Sequence, residues 1–229
     1  MNAAIILNNL DYVLIGAWPN GPVGGLTLTV ILSVLSAISS AVIGIMLGIA
    51  LSLSRGWPRK GLRIVLGFFR AIPVLMLIFW TYFLLPILAG FRPPEIATVV
   101  AALSLIGGAY LAGTVSAGID GMAQGQWQAG YALGLRRQQI LRLIILPQAL
   151  RAMVPSFVNQ WATLIKDTSL AYIVGVPELS FLAAQVNNRA MVYPTEIFLF
   201  VGALYWGLCV GTDRLARLLA RTGQGEPVS

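Results

Sequence analysis

Apolar stretches long enough to cross a lipid bilayer dominate this chain, at residues 26–53, 64–88, 96–119 and 196–210, the last extending to about 218. A hydrocarbon core of about 30 Å takes roughly 20 apolar residues in a helix, so each stretch reads as a transmembrane helix. Composition agrees. Of 229 residues 58% are hydrophobic and 10% charged, with a mean hydropathy of +0.82, whereas a soluble domain carries about a quarter charged residues. A fifth segment, roughly 153–176, is interrupted by Asn159, Gln160, Lys166, Asp167, Thr168 and Ser169. It counts on topology, because without it the basic loop at Pro147 and the basic tail could not share one side of the membrane. The sequence therefore predicts an all-α, polytopic bundle of about five transmembrane helices.

Short loops rich in Lys and Arg stay in the cytosol. Arg55, Arg59, Lys60 and Arg63 fall in the first loop, Arg136, Arg137, Arg142 and Arg151 in the third, and Arg214, Arg217 and Arg221 in the tail. The opposite side keeps only Arg92 and Arg189. This predicts an amino terminus outside and a carboxyl terminus inside, with an extracytoplasmic segment at 1–22, one membrane domain at 23–218 and a cytosolic tail at 219–229. Residues 3–18 read as an amphipathic helix on the outer surface, the alternative being a disordered tail; no basic region precedes them, so they do not read as a secretory signal.

Several function classes find no support. The formal charge of +7 sorts by loop and forms no aromatic-interleaved patch for nucleic acid. The chain has no His and one cysteine, Cys209, so neither a metal site nor a His-dependent nucleophile is expected. No cofactor motif and no G-x-x-x-x-G-K-[ST] phosphate loop occurs. The chain is not expected to be an enzyme or to hydrolyse ATP by itself.

Small residues recur every four positions at Ser36, Ser40, Gly44, Gly48 and Ser52, and again at Ala109, Gly113, Ala117 and Gly121. Such stripes let helix backbones approach closely in lipid. A Lys or Asp at the centre of a span costs about 2.5–3.5 kcal/mol on insertion scales and faces a partner, a cavity or water. Lys166 and Asp167, with Thr168 and Ser169, are thus candidates for a translocation path or gate, and point to a broken helix or to partners on other segments; alternatively Lys166 snorkels to the interface. Arg70, in the run RAIP, lies either at the inner mouth of such a path or in the phosphate layer as an anchor. Trp80, Tyr82 and Pro86 read as an aromatic belt and a helix stop.

Between Gly121 and Pro147 runs a polar, Arg-bearing stretch, GMAQGQWQAGYALGLRRQQILRLIILP. Gly134 divides it into helical patterns at 126–133 and 135–146, the second carrying Leu135, Ile140, Leu141, Ile144 and Ile145 on one face and ending at Pro147. Two short helices joined at a glycine make a knob on a membrane face.

The intervals Gln128-Ala129-Gly130, Gly134, Ile144 and Leu146-Pro147 resemble the EAA loop of ABC-importer permeases. GQWQAGYALGL and IKDTSLAYIVGVPEL are similar to the polar-amino-acid branch of that family, as are GLTLTVILS and FFRAIPVLMLIFWTYFLLP upstream. The resemblance covers residues 25 to about 215. It implies a type I importer permease fold in the cytoplasmic membrane, with the loop at about 121–150 docking on an ATPase. The implied partners are two ATPase subunits, a second permease subunit, an extracytoplasmic solute-binding protein and membrane lipid. Two departures stand out: Gln128 and Gly130 replace the usual Glu and second Ala, and the third span has Gly113 and Ser116 where an acidic and a basic residue are usual. The segment QVNNRAMVYPTEIFLF is similar to permeases for acidic amino acids, which implies glutamate or aspartate as cargo. The rival expectation is a channel or membrane scaffold working without ATP, which has no need of the loop's fixed intervals.

Overall fold

The computed structural model describes residues 3–190 and 194–222. The tail beyond 222 and residues 191–193 of the segment compared with acidic-amino-acid permeases lie outside the described residues. In chain order the helices are α1 (Ala3–Asn8), α2 (Leu10–Ile15), α3 (Gly25–Leu53), α4 (Trp57–Ala71), α5 (Val74–Phe79) and α6 (Leu85–Ala89), with a π-helical turn (Trp80–Leu84) between the last two. There follow α7 (Glu95–Asp120), α8 (Gln124–Ala132), α9 (Arg137–Ile140), a second π-helical turn (Leu141–Ile145), α10 (Leu146–Asp167), a 3-10 stretch (Thr168–Val174), α11 (Leu179–Ala190) and α12 (Pro194–Thr222). Among the described residues four helical stretches are long and apolar enough to cross a membrane: Gly25–Leu53, Glu95–Asp120, Arg137–Val174 and Pro194–Leu218. The pair Trp57–Ala71 and Val74–Leu88, bent by 99°, adds a fifth when read as one broken span. The bend follows from Pro73, which donates no backbone N–H and holds Ile72 extended at φ −76°, ψ 133°.

The bundle is built around α3 and α7, which run in the same direction. Ser40 meets Gly107, Gly44 meets Leu111 and Gly48 meets Val115, and Ser52 donates to Asp120 Oδ1 at 2.8 Å. A Cβ on Gly44 or Gly48 would collide with the opposing side chain, so these glycines are the means of contact, as the first small-residue stripe predicts. The second stripe does something else. On α7 it is Gly107 and Gly108 that meet α3, at Ser40 and Ile43, whereas Gly113 faces Arg70 of α4 and Ala109 joins the buried cluster that includes Leu66 of α4. The two faces lie nearly half a helical turn apart at about 100° per residue, and a four-residue spacing marks a face without saying which neighbour it meets.

Two prolines depart from their expected role as helix stops. Pro147 and Pro86 each lie just inside a helix that continues from a π-helical turn. In both turns the backbone bond widens to five residues, Leu85 N–H to Trp80 C=O and Leu146 N–H to Leu141 C=O. A widened turn relieves the clash between a proline ring and the preceding carbonyl. The interrupted segment at 153–176 is accordingly part of one continuous stretch from Arg137 to Val174, with Pro155 inside α10.

The amino-terminal amphipathic segment forms two short helices rather than one, divided at Asn9. Val13 is buried with Leu179, Ala183, Val186, Ile197 and Val201, fastening this segment to α11 and α12. The α11 helix itself, between the fourth and fifth spans, was not legible in the sequence.

Candidate functional site

One end of the bundle carries the polar stretch that the sequence singles out. There α8 ends in a closed cap: Gly134 takes φ +75°, its N–H donates to Tyr131 C=O at 2.9 Å, and Leu135 N–H reaches back to Gly130 C=O at 3.1 Å. This paired arrangement around a left-handed glycine satisfies the last carbonyls of a helix. Gly134 is thus a fixed reversal between α8 and α9. Gly130 is buried against Ile140, whose side-chain carbons would lie 2.6–3.0 Å from a Cβ there. The absence of a Cβ at Gly130 lets α8 settle directly on Ile140 of α9. On the second helix Arg136 N–H donates to Gln139 Oε1 at 2.8 Å.

The motif residues divide between contact surface and support. Gln128, Ala129, Gly134 and Pro147 are exposed, Ile144 and Leu146 are half-buried, and Gly130 is buried. Ile140, Leu141 and Ile145 anchor the hairpin in a buried cluster with Leu111, Val115, Ile119, Ala149, Met153 and Phe157. Tyr131 and Leu133 stay exposed at 52% and 75%, giving the hairpin tip an apolar surface.

Beneath the tip lies a polar network that sequence reasoning missed. Arg137 Nη2 donates to Ser52 C=O at 3.4 Å, Ser52 Oγ to Asp120 Oδ1 at 2.8 Å, and Arg59 Nη2 to Asp120 Oδ2 at 2.7 Å. The chain Arg137–Ser52–Asp120–Arg59 joins α9, α3, α7 and α4 at one level. A groove of about 470 Å³ beside it is lined by Arg55, Trp127, Gln128 and Tyr131. The lone Asp120 at the end of an apolar run, beside a small-residue stripe ending in Ser52, was the available signal.

The second group of candidates lies elsewhere. α10 ends at Asp167 and tightens to 3-10 geometry from Thr168, so the expected break is a change of helix type. Thr168 Oγ1 and Ser169 Oγ bond back to Ile165 and Lys166 carbonyls at 2.7 Å. Lys166 is exposed and Asp167 half-buried, and among the described residues neither forms an ion pair with another span. Arg70 is not brought to them: its guanidinium lies over the Tyr110 ring, 5.1 Å from the centroid, in a pocket with Gly113 and Ser116.

Glu178 forms a further cluster at the opposite end of the bundle. Its carboxylate accepts from Ser180 and Phe181 N–H at 2.8 and 2.9 Å and from the Tyr205 hydroxyl at 2.8 Å. Leu179 N–H donates to Thr29 Oγ1 at 3.1 Å, and Gly25 N–H to Pro177 C=O at 2.8 Å. Glu178 thereby starts α11 and ties it to α3 and α12. Burial pushes its carboxyl from 4.5 up to about 7, against the opposing pull of the Ser180, Tyr205, Phe181 and Thr29 hydrogen bonds. Among the described residues no group of His, Cys, Asp or Glu could hold a metal ion.

Residues 40–222 match the family of binding-protein-dependent transport system inner membrane components. The chain belongs to that family. Relatives of this permease include the probable glutamine ABC transporter permease protein GlnP of Bacillus subtilis, 36% identical over 66% of this chain and 69% of that one. The glutamate/aspartate import permease protein GltK of Escherichia coli O157:H7 is 33% identical over 67% of this chain and 71% of its own. The fold is shared with a solved amino acid ABC transporter, at a TM-score of 0.76 and 22% identity over 86% of this chain and 91% of that chain. The MetNI methionine ABC transporter in inward-facing form gives 0.70 and 20% over 85% and 94%. The all-α permease fold expected from the sequence is therefore shown, with the spans as corrected above.

Proposed function

We propose that this permease is the membrane subunit of an ATP-driven importer of polar amino acids, working as one of a pair of permeases above two separate ATPase subunits and receiving its cargo from an extracytoplasmic binding protein. The observation that carries the reading is the α8–α9 hairpin. It presents exposed Tyr131, Leu133 and Gln128 on a conformationally fixed reversal, and its base is bonded through Arg137, Ser52, Asp120 and Arg59 to three spans. A partner closing on the tip would move those spans together, because a hairpin held at both its cap and its base transmits displacement as a rigid body. The hairpin end faces the cytosol, with the amino terminus outside. GlnP and GltK support an amino acid as cargo, with glutamate or aspartate as one choice. Lys166, Asp167, Thr168 and Ser169, at the change of helix type, remain the residues for a path or gate, and ATP hydrolysis belongs to the partner.

The test is uptake into liposomes. The permease alone should neither bind nucleotide nor accumulate labelled amino acid; addition of the ATPase and the loaded binding protein should give uptake that requires ATP. Passive flux through the isolated permease, unaffected by ATP, would sink the importer reading and leave a channel.

A further inference from the structure

A cavity of about 440 Å³ opens between α4 and α7, lined by Arg59, Arg63, Arg70, Gly113, Ser116 and Asp120 among others. Its charges do not balance. Asp120 is taken by Arg59 through their 2.7 Å ion pair, and among the described residues neither Arg63 nor Arg70 has a carboxylate partner. Seven residues apart on α4, Arg63 and Arg70 lie two turns apart on one helix face, and both line the same cavity. Arg70 is steadied by the Tyr110 ring at 5.1 Å, an arrangement that leaves the edge N–H donors of a guanidinium free. Gly113 keeps the floor open: a Cβ there would lie 3.6 Å from Arg70 Nη1, so any side chain at this position would occupy the space in front of the guanidinium. The other side of α4 exposes Ile64, Val65 and Phe68, so the helix carries its cationic and apolar surfaces on opposite faces.

We propose that this cavity is an oxyanion site, in which Arg63 and Arg70 hold a carboxylate or phosphate group above Gly113. Guanidinium groups bind both anions through paired N–H donors. The group comes from one of two sources, the side-chain carboxylate of an acidic transported solute or the phosphate of an anionic lipid. The solute source rests on the transport reading above.

The test uses the full chain in nanodiscs. In phosphatidylcholine discs, labelled glutamate and glutamine are compared by equilibrium dialysis; in discs containing phosphatidylglycerol, retained lipid is counted by native mass spectrometry. Glutamate bound at least tenfold more tightly than glutamine assigns the site to solute, and selective retention of phosphatidylglycerol assigns it to lipid. Either preference should fall at least tenfold in the Arg63→Gln, Arg70→Gln double variant. It should fall likewise in Gly113→Asp, which sets a carboxylate against Arg70 and removes no arginine. Absence of both preferences in the native chain, or their persistence in folded samples of both variants, overturns the site. ATP-driven uptake by the native complex is read separately, so failure of the anion site and failure of the transport reading give different results.

Discussion

Arg59 donates to Asp120 at 2.7 Å across 61 residues of chain, joining the first turn of α4 to the last residue of α7. Asp120 also accepts from Ser52, whose carbonyl in turn takes the Arg137 guanidinium, so one carboxylate gathers the elements beneath the hairpin. Asp120→Ala should therefore lower ATP-dependent uptake at least fivefold in the reconstituted complex. The pair is solvent-accessible, with side chains 29% and 43% exposed, and such pairs contribute about 0–1 kcal/mol. The melting temperature should fall by no more than about 4 °C. Undiminished uptake would remove Asp120 from the coupling network.

Gly134 supports a second prediction, because its φ of +75° is strained by about 1–3 kcal/mol for a residue with a side chain. Nothing lies within 4 Å of the position a Cβ would occupy, so backbone conformation alone decides the outcome. Gly134→Val should leave the protein inserted while uptake is lost, and Gly134→Asn, which tolerates the left-handed region, should retain most of it. Equal uptake by both variants would show that the reversal does not matter to transport.

The α3–α7 contact gives a stability prediction. Gly48 faces the Val115 side chain, whereas Gly61 on α4 has open space around it. Gly48→Leu should destabilise the bundle by about 1–3 kcal/mol through overpacking, seen as a lowered melting temperature in detergent. Gly61→Ala should match the native protein or exceed it, since Ala is the better helix former.

Glu178 makes stability depend on pH. Its folded-state value of about 7 lies above the ordinary 4.5, so between those values the folded state binds more protons than the unfolded one. Stability is then highest below about 4.5, falls as pH rises through 7, and levels off above it. The linked change is on the order of 3 kcal/mol. Melting curves from pH 5 to 8 should show this decline in the native protein and a flatter profile in Glu178→Gln; parallel profiles would refute the linkage.

Orientation is tested by accessibility. In a Cys209→Ser background, Gly125→Cys on exposed α8 should react with an impermeant thiol reagent only after the membrane is opened. Asn188→Cys on α11 is also exposed and should react in intact cells. Labelling in the reverse pattern would invert the proposed topology.

Much of this architecture was written in the chain itself. Apolar run length determines where helices cross a bilayer, the four-residue spacing of Ser40, Gly44, Gly48 and Ser52 determines that α3 can be approached closely, and the intervals around Gly134 determine the hairpin. These are local properties, set by helix rise and by the absence of a side chain. The tertiary structure decided the rest. Pro86 and Pro147 lie within continuing helices because a π-helical turn precedes each and accommodates the proline ring, a backbone adjustment that the residue pattern does not announce. Ser52, Asp120, Arg59 and Arg137 come from four separate elements, so no spacing in the sequence could connect them. Arg70 lies beside Gly113 and away from Lys166 for the same reason: which face of one helix meets which face of another is fixed by the packing of α4 across α7, where a rotation of about 100° per residue assigns neighbouring residues to different partners.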